Sequence, residues 1–157
     1  MERAQSPYAV SRVVAGALPA GVVALWVVGW ILTGGGREGM SPEALPPTLA
    51  LWGWAAVAMG GFAGALAFRG RALHEARALR GQAAEEARPE VARRVLTSLI
   101  VAWALLEGPA LLSGILFVLL GAAQILVLAV PFYLVGVALT FPRREWFGET
   151  RGRGAGG

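Results

Sequence analysis

Apolar residues dominate four long stretches of the chain, and polar residues are concentrated in the segments between them. The apolar stretches run approximately over residues 10–32, 48–68, 95–120 and 122–141. Crossing the roughly 30 Å hydrocarbon core of a bilayer takes about 20 residues at about 1.5 Å of rise each. Each stretch meets that length, so the pattern predicts an all-α polytopic membrane protein, a bundle of four transmembrane helices.

The segments between the predicted helices differ in character. Residues 33–46 are rich in Gly and Pro, which favours a loop, whereas almost nothing separates the third and fourth stretches, which predicts a tight antiparallel hairpin. Residues 69–94 combine Ala, Leu, Arg and Glu, a composition that favours helix. We therefore expect a cytoplasmic helical hairpin here, with helices two and three projecting into water and turning near Gly81.

The chain is expected to form a single membrane domain over residues 1–147, followed by a Gly-rich tail, residues 148–157, that is predicted to be disordered. The first apolar stretch is interpreted as a retained helix and not as a signal peptide. Its apolar core is longer than that of a typical signal peptide, and the GGGREG sequence that follows lacks a small-x-small cleavage pattern.

Arginines are distributed unevenly between the two sides of the predicted bundle. The N-terminal segment, residues 69–94 and the segment after the fourth helix hold every Arg except Arg37. Because positively charged connections stay in the cytoplasm, we expect both termini and residues 69–94 to be cytoplasmic. The exclusive use of Arg and Glu, with abundant Ala and Gly, favours a bacterial origin and hence the inner membrane.

The composition argues against several functional classes. The chain is 56% hydrophobic and 15% charged, contains no Cys or Asp, and has one His, His74, which we expect to be solvated. No catalytic set, cofactor motif or metal-ligand spacing is visible, so an enzyme is not expected. The arginines flank apolar segments and form no basic face, which argues against nucleic acid. The expected partners are the lipid bilayer and a protein docking on residues 69–94.

Aromatic residues cluster near the ends of the predicted helices, as the aromatic belts of membrane proteins do. Four tryptophans lie toward the outer ends of the first two helices: Trp26, Trp30, Trp52 and Trp54. Tyr8 and Trp146 lie near the inner face. The alternative is a binding site for a lipid or lipophilic cofactor built on the tryptophans.

Small residues and prolines are expected to shape the bundle. Ala56, Gly60 and Gly64 recur at a spacing of four in the second helix, which predicts close helix packing inside the chain or, alternatively, self-association. A proline inside a helix removes an amide donor and bends the helix. Three prolines fall inside predicted spans and are expected to bend them: Pro19, Pro109 and Pro131.

One acidic residue, Glu107, lies inside the third apolar stretch, in AWALLEGPALLSG. About 20 Å of helix separates it from either end, so it lies near mid-membrane. A carboxylate at this depth costs about 2.5–3.5 kcal/mol on insertion scales, so Glu107 should face the bundle interior. Two roles remain open. Either a protonated Glu107 donates a hydrogen bond between helices, with Ser113, Gln124, Tyr133 or a carbonyl freed by Pro109 as its partner, or it loads and unloads a proton or cation.

Residues 81–120 resemble the polar loop and carboxylate helix of rotary ATP synthase proteolipids, the c subunits. The resemblance rests on ARPE at 87–90, on ALLEGPALLSGI around Glu107 and on the glycines of the preceding helix, and it extends loosely over residues 50–120. It implies that Glu107 is an ion-binding carboxylate that carries H⁺ or Na⁺ in a ring of copies. The chain differs from that family in its longer polar connection and in two additional helices.

These observations lead to three functional hypotheses. The leading one is a non-catalytic accessory or structural subunit of the bacterial inner membrane with a buried, protonated Glu107. The alternative is a proteolipid-like proton or cation carrier that uses Glu107. The second alternative is a protein that binds a lipid or a lipophilic cofactor.

Overall fold

A computed structural model of the chain describes residues 7–35, 39, 45–82 and 88–147. In these residues the chain forms a helical bundle whose elements are α1 (Pro7–Leu32), α2 (Pro47–Gln82), α3 (Arg88–Leu120), α4 (Ala123–Thr140) and a short 3₁₀ helix (Arg144–Phe147). Each of the four α-helices is long and apolar enough to cross a membrane. The predicted all-α class and the number of candidate spans are therefore confirmed.

The second and third helices extend well beyond their apolar stretches. α2 continues to Gln82 and α3 already begins at Arg88, as the helix-favouring composition of residues 69–94 predicted. α2 passes through Gly81 without a break, because one Gly lowers helix propensity by only about 1 kcal/mol. Gly81 itself lies within α2, so the turn predicted near it stays a prediction. Residues 83–87 and the predicted disordered tail, 148–157, lie outside the described residues.

α3 and α4 are joined by a connection of two residues. Gly121 follows the last residue of α3 with a φ of +66°, and its amide donates to the Phe117 carbonyl at 2.8 Å. Glycine adopts this left-handed conformation without the penalty that a Cβ would bring, which makes it the usual residue directly after a helix. The tight connection predicted between the third and fourth helices is thus present.

α3 is the central element of the bundle, since it packs against each of the other three α-helices. Trp26 of α1 bonds Ala110, and further along α1 Gly29 lies against Phe117, so α1 runs parallel to α3. α2 and α4 run in the opposite direction, which gives an up-down-up-down order. With four helices in this order, α1 begins and α4 ends on the same side of the bundle.

The N-terminal and C-terminal segments meet at one end of the bundle. The rings of Tyr8 and Phe147 lie 6.1 Å apart, and Trp146 is buried in the same apolar cluster as Ala72 of α2 and Val95 of α3. The extended ends of α2 and α3 therefore share this end, which we call the terminal end. The sequence predicted this grouping from its arginines.

The packing face of α2 differs from the predicted one. Ala56 and Gly60 are exposed, and a Cβ added at Gly60 would meet nothing within 4 Å, whereas Gly64 lies against Leu105. The small residues that pack inside the bundle lie on the neighbouring stripe of the helix: Ala58, Gly61, Ala65, Ala72 and Ala76. Packing inside the chain is therefore not found at Ala56 and Gly60, because small residues occur on both stripes and nothing polar marks the inner one. The alternative for these positions, self-association, stays a prediction.

Gly61 is a point of close approach between α2 and α3. A Cβ at this position would overlap the carbonyl oxygen of Leu105 and lie 3.0 Å from Cγ of Pro109. Pro109 has no amide hydrogen, so the Leu105 carbonyl, one turn earlier, lacks its helical donor. The Cα–H groups of glycine are weak donors that can approach such an oxygen. Gly61 therefore covers the polar group that Pro109 leaves free.

Replacing Gly61 with Ala should destabilise the fold, because the added methyl group must displace the α3 backbone. We expect a loss of about 1–3 kcal/mol, the usual cost of overpacking. The matched control is Gly60→Ala on the adjacent exposed position, which should be neutral or stabilising by up to about 1 kcal/mol through helix propensity. The measurement is reversible unfolding in detergent micelles. Equal stabilities of the two variants would contradict this account of the α2–α3 contact.

Candidate functional site

Glu107 lies on the face of α3 that is turned toward α1. It shares this face with Trp103 and Gly114, which lie four residues before and seven residues after it. A Cβ added at Gly114 would contact Leu25 and Trp26 of α1. Glu107 itself is partly exposed, so it lies at the edge of the α1–α3 contact. About 20 Å of helix separates it from the end of α3, as expected.

The carboxylate of Glu107 has no hydrogen-bond partner among the described residues. Ser113, one expected partner, donates instead to the Ala110 carbonyl at 2.6 Å. Tyr133 lies close enough to interact with Glu107 electrostatically but does not bond it, and Gln124 is exposed. The carbonyl freed by Pro109 faces α2. The hydrogen bond between helices of this chain that was expected of Glu107 is therefore not found.

Two indole groups hold the segment of α3 that follows Glu107. Nε1 of Trp26 donates to the Ala110 carbonyl at 3.1 Å and to Oγ of Ser113 at 3.2 Å. From the other side, Nε1 of Trp54 donates to the Pro109 carbonyl at 2.9 Å. Both tryptophans are buried. We call Trp26, Trp54 and these two carbonyls the tryptophan clamp.

α4 completes the tryptophan clamp with two aromatic rings. Tyr133 meets Trp26 with ring centroids 5.8 Å apart at 80°, and Phe132 meets Trp54 at 6.2 Å and 73°. Edge-to-face pairs of this kind contribute about 0.5–1.5 kcal/mol beyond the area they bury. All four helices therefore meet within one turn of α3, directly after Glu107.

The four outer tryptophans divide into two pairs that the sequence did not distinguish. Trp30 and Trp52 are exposed, as an aromatic belt requires, whereas Trp26 and Trp54 bond α3 inside the bundle. A signal was present in α1, where the buried positions recur at spacings of three, four and seven and include small polar residues: Ser11, Ala15, Val22, Trp26, Gly29 and Thr33. The belt interpretation was therefore wrong for Trp26 and Trp54.

The other predicted prolines lie at separate places in the bundle. Pro19 lines a cavity of about 10 Å³ between α1, α3 and α4, which Tyr133 also lines. Pro131 lines an open groove between α1 and α4. The three prolines lie inside continuous helices, so the bends predicted at them stay predictions.

The groove between α1 and α4 is almost entirely apolar. It measures about 440 Å³, and Trp26 and Trp30 line it together with aliphatic residues of α4. No group of three or more His, Cys, Asp or Glu that could hold a metal ion occurs in the described part of the chain. The unpaired Glu107 and this apolar groove are therefore the two features considered as candidate binding sites in this part of the bundle.

Replacing Trp54 with Phe should destabilise the bundle, because it keeps an aromatic ring but removes the donor to the Pro109 carbonyl. The expected cost is about 0.6–1.7 kcal/mol, the range of interhelical hydrogen bonds measured in membranes. Trp52→Phe, two residues away on the exposed side, is the control and should change stability by less than about 0.5 kcal/mol. Unfolding in detergent micelles measures both. If Trp54→Phe were as stable as the control, the clamp would not be a stabilising contact.

Comparison of the chain with protein-family models, with curated proteins and with solved structures gives no match in any of the three. The resemblance of residues 81–120 to rotary ATP synthase proteolipids therefore stays a prediction. The functional proposal therefore rests on the geometry of the chain itself. An unpaired carboxylate, Glu107, lies next to a segment of α3 that the tryptophan clamp holds in place.

Proposed function

We propose that this protein is a non-catalytic accessory subunit of a bacterial inner-membrane complex and that Glu107 contacts a helix of a partner chain. The observation that carries the proposal is the state of Glu107, which is partly exposed and lacks a hydrogen-bond partner among the described residues. An acidic group left in hydrocarbon costs about 2.5–3.5 kcal/mol. A polar group on an adjacent chain removes that cost.

The arrangement around Glu107 supports a docking role. The residues that follow it are held by Trp26 and Trp54, so the backbone that carries Glu107 is held in place before a partner arrives. A protonated glutamate donates one hydrogen bond and also accepts, and an ionised one pairs with a basic residue. Either form would orient a partner helix against the α1–α3 edge of the bundle.

The proposed orientation of the protein in the membrane follows from the distribution of its arginines. The terminal end brings together the N-terminal segment, the extended ends of α2 and α3 and the C-terminal segment. These are the segments that carry every Arg except Arg37. By the positive-inside rule, the terminal end lies in the cytoplasm.

The first test is the native mass of the protein extracted from its own membrane in a mild detergent, with all accompanying chains identified. We expect a mixed complex that Glu107→Gln retains, because the amide keeps the size and the donor capacity of a protonated glutamate. Glu107→Leu should release the partner. Gln124→Leu removes an exposed polar group from α4 and should leave the complex intact. A partner that stays bound to Glu107→Leu as strongly as to the wild type would refute the docking role.

A proton or cation carrier is the second candidate, and the same unpaired carboxylate favours it. A group that loads and unloads an ion needs access and cannot be permanently bonded within its own chain. This function predicts a homo-oligomer in place of a mixed complex. It also predicts loss of transport in Glu107→Gln with partial retention in Glu107→Asp. Carbodiimide labelling of Glu107 should then slow when Na⁺ is added or the pH is raised, because the reagent attacks the protonated acid. Labelling that is insensitive to both would count against a carrier.

A further inference from the structure

A groove lined by both charged and apolar residues lies between α2 and α3 at the terminal end. It measures about 290 Å³. Phe68 and Val101 line its side nearer the middle of the bundle, and the charged residues that line it lie further toward the terminal end: Arg71, Glu75, Arg93 and Arg94. The groove therefore has an apolar inner part and a charged outer part.

The groove lies at the depth of lipid headgroups. Measured along α2 from Pro47 and along α3 from Leu120, its residues lie about 30 to 40 Å from the opposite ends of the two helices. The hydrocarbon core is about 30 Å thick, and the headgroup layers extend the bilayer to about 40–45 Å. A bilayer that covers the apolar stretches of both helices therefore places its headgroups at this groove.

The groove offers donors that suit a phosphate group. Arg93 and Arg94 both contact Glu90, at 3.1 Å and 3.3 Å, but their side chains are 75% and 64% exposed. Exposed pairs of this kind contribute at most about 1 kcal/mol, so a phosphate can compete for them. Arg71 adds a third guanidinium, the group best suited to binding phosphate oxygens.

A hydroxyl in the groove has no hydrogen-bond partner among the described residues. It belongs to Ser98, which is 7% exposed and lines the groove. Its neighbour Thr97 differs, because the Thr97 hydroxyl donates to the Arg93 carbonyl of its own helix at 3.0 Å. The Ser98 hydroxyl is therefore available to donate a hydrogen bond to a ligand in the groove.

The same groove contains a carboxylate, Glu75, with one oxygen that lacks a hydrogen-bond partner among the described residues. This oxygen, Oε2, is buried. A purely anionic ligand would bring a second negative group next to it. A ligand that carries an ammonium group beside its phosphate would compensate Glu75 and the arginines together.

We propose that this groove binds the phosphoethanolamine headgroup of a membrane phospholipid. Arg71, Arg93, Arg94 and Ser98 bind the phosphate, and Glu75 accepts hydrogen bonds from the primary ammonium. A glycerol headgroup offers Glu75 no cationic donor, and the quaternary ammonium of choline has no N–H to donate. The acyl chains follow the apolar side of the groove past Phe68 and Val101. The site is independent of the role of Glu107 and lies at the opposite end of the bundle from the apolar α1–α4 groove.

The experiment is native mass spectrometry of the purified full chain in detergent micelles. Equal amounts of phosphatidylethanolamine, phosphatidylglycerol and phosphatidylcholine with the same acyl chains are added. We expect phosphatidylethanolamine to be retained about five- to tenfold more strongly than either competitor, the discrimination that one charge-assisted hydrogen bond supplies.

Three variants assign the contacts. Arg71→Gln should weaken retention of all three lipids, because it removes a phosphate donor. Glu75→Gln should abolish the preference for phosphatidylethanolamine over phosphatidylglycerol, since the negative charge that selects the ammonium is gone. Arg77→Gln alters an exposed arginine of α2 outside the groove and should bind lipid as the wild type does. Circular dichroism checks that each variant keeps its helical content.

Two results would overturn the proposal. Retention of phosphatidylglycerol by the wild type at least as strong as that of phosphatidylethanolamine would make the groove an anionic-lipid site, without a role for Glu75. If the Arg71→Gln variant kept its helices and bound every lipid as Arg77→Gln does, the headgroup would not be bound in the groove. Glu75→Gln, being isosteric, keeps the test informative if Arg71→Gln does not fold.

Discussion

The bundle depends on how it satisfies the backbone of α3 around Pro109. Proline deprives the Leu105 carbonyl of its donor, and hydrocarbon offers no water to replace it. Contacts from two sides cover these backbone groups. Gly61 lets α2 lie against the free carbonyl, and the indoles of Trp26 and Trp54 donate hydrogen bonds to the carbonyls that follow. Because these contacts come from different helices, the irregular turn of α3 also fixes where α1 and α2 lie. α4 joins through its aromatic rings.

The sequence predicted the number, class and approximate bounds of the helices because a run of apolar residues of this length has few other uses. It also predicted which segments share an end, because arginines mark the aqueous side. It did not predict which stripe of α2 faces inward. In a soluble helix polar residues mark the outside, but in a lipid-facing helix both sides are apolar, so Gly60 and Gly61 look alike until the position of Leu105 is known.

For Glu107, too, the sequence predicted the position but not the contacts. Its depth along α3 follows from counting residues, but its lack of a partner depends on the rotation of α3 against α1 and on the bonds that Ser113 makes elsewhere. The two polar features of the bundle are thus of different kinds. At mid-bundle a single carboxylate lies at an edge of packed helices, and at the terminal end Glu75 lies among arginines. The first suits contact with another helix, and the second suits a small zwitterionic group.

The two-residue connection at Gly121 has a consequence for biosynthesis. With so little chain between them, the end of α3 and the start of α4 stay next to each other as the chain is made, which favours packing of these two helices as a pair. The rings of Phe132 and Tyr133 then follow closely behind the irregular turn at Pro109. The indoles of Trp26 and Trp54, in α1 and α2, reach their acceptors only after α3 has been made, because those acceptors are the carbonyls of Ala110 and Pro109. The last half of the chain to be synthesised thus completes the structure of the first half.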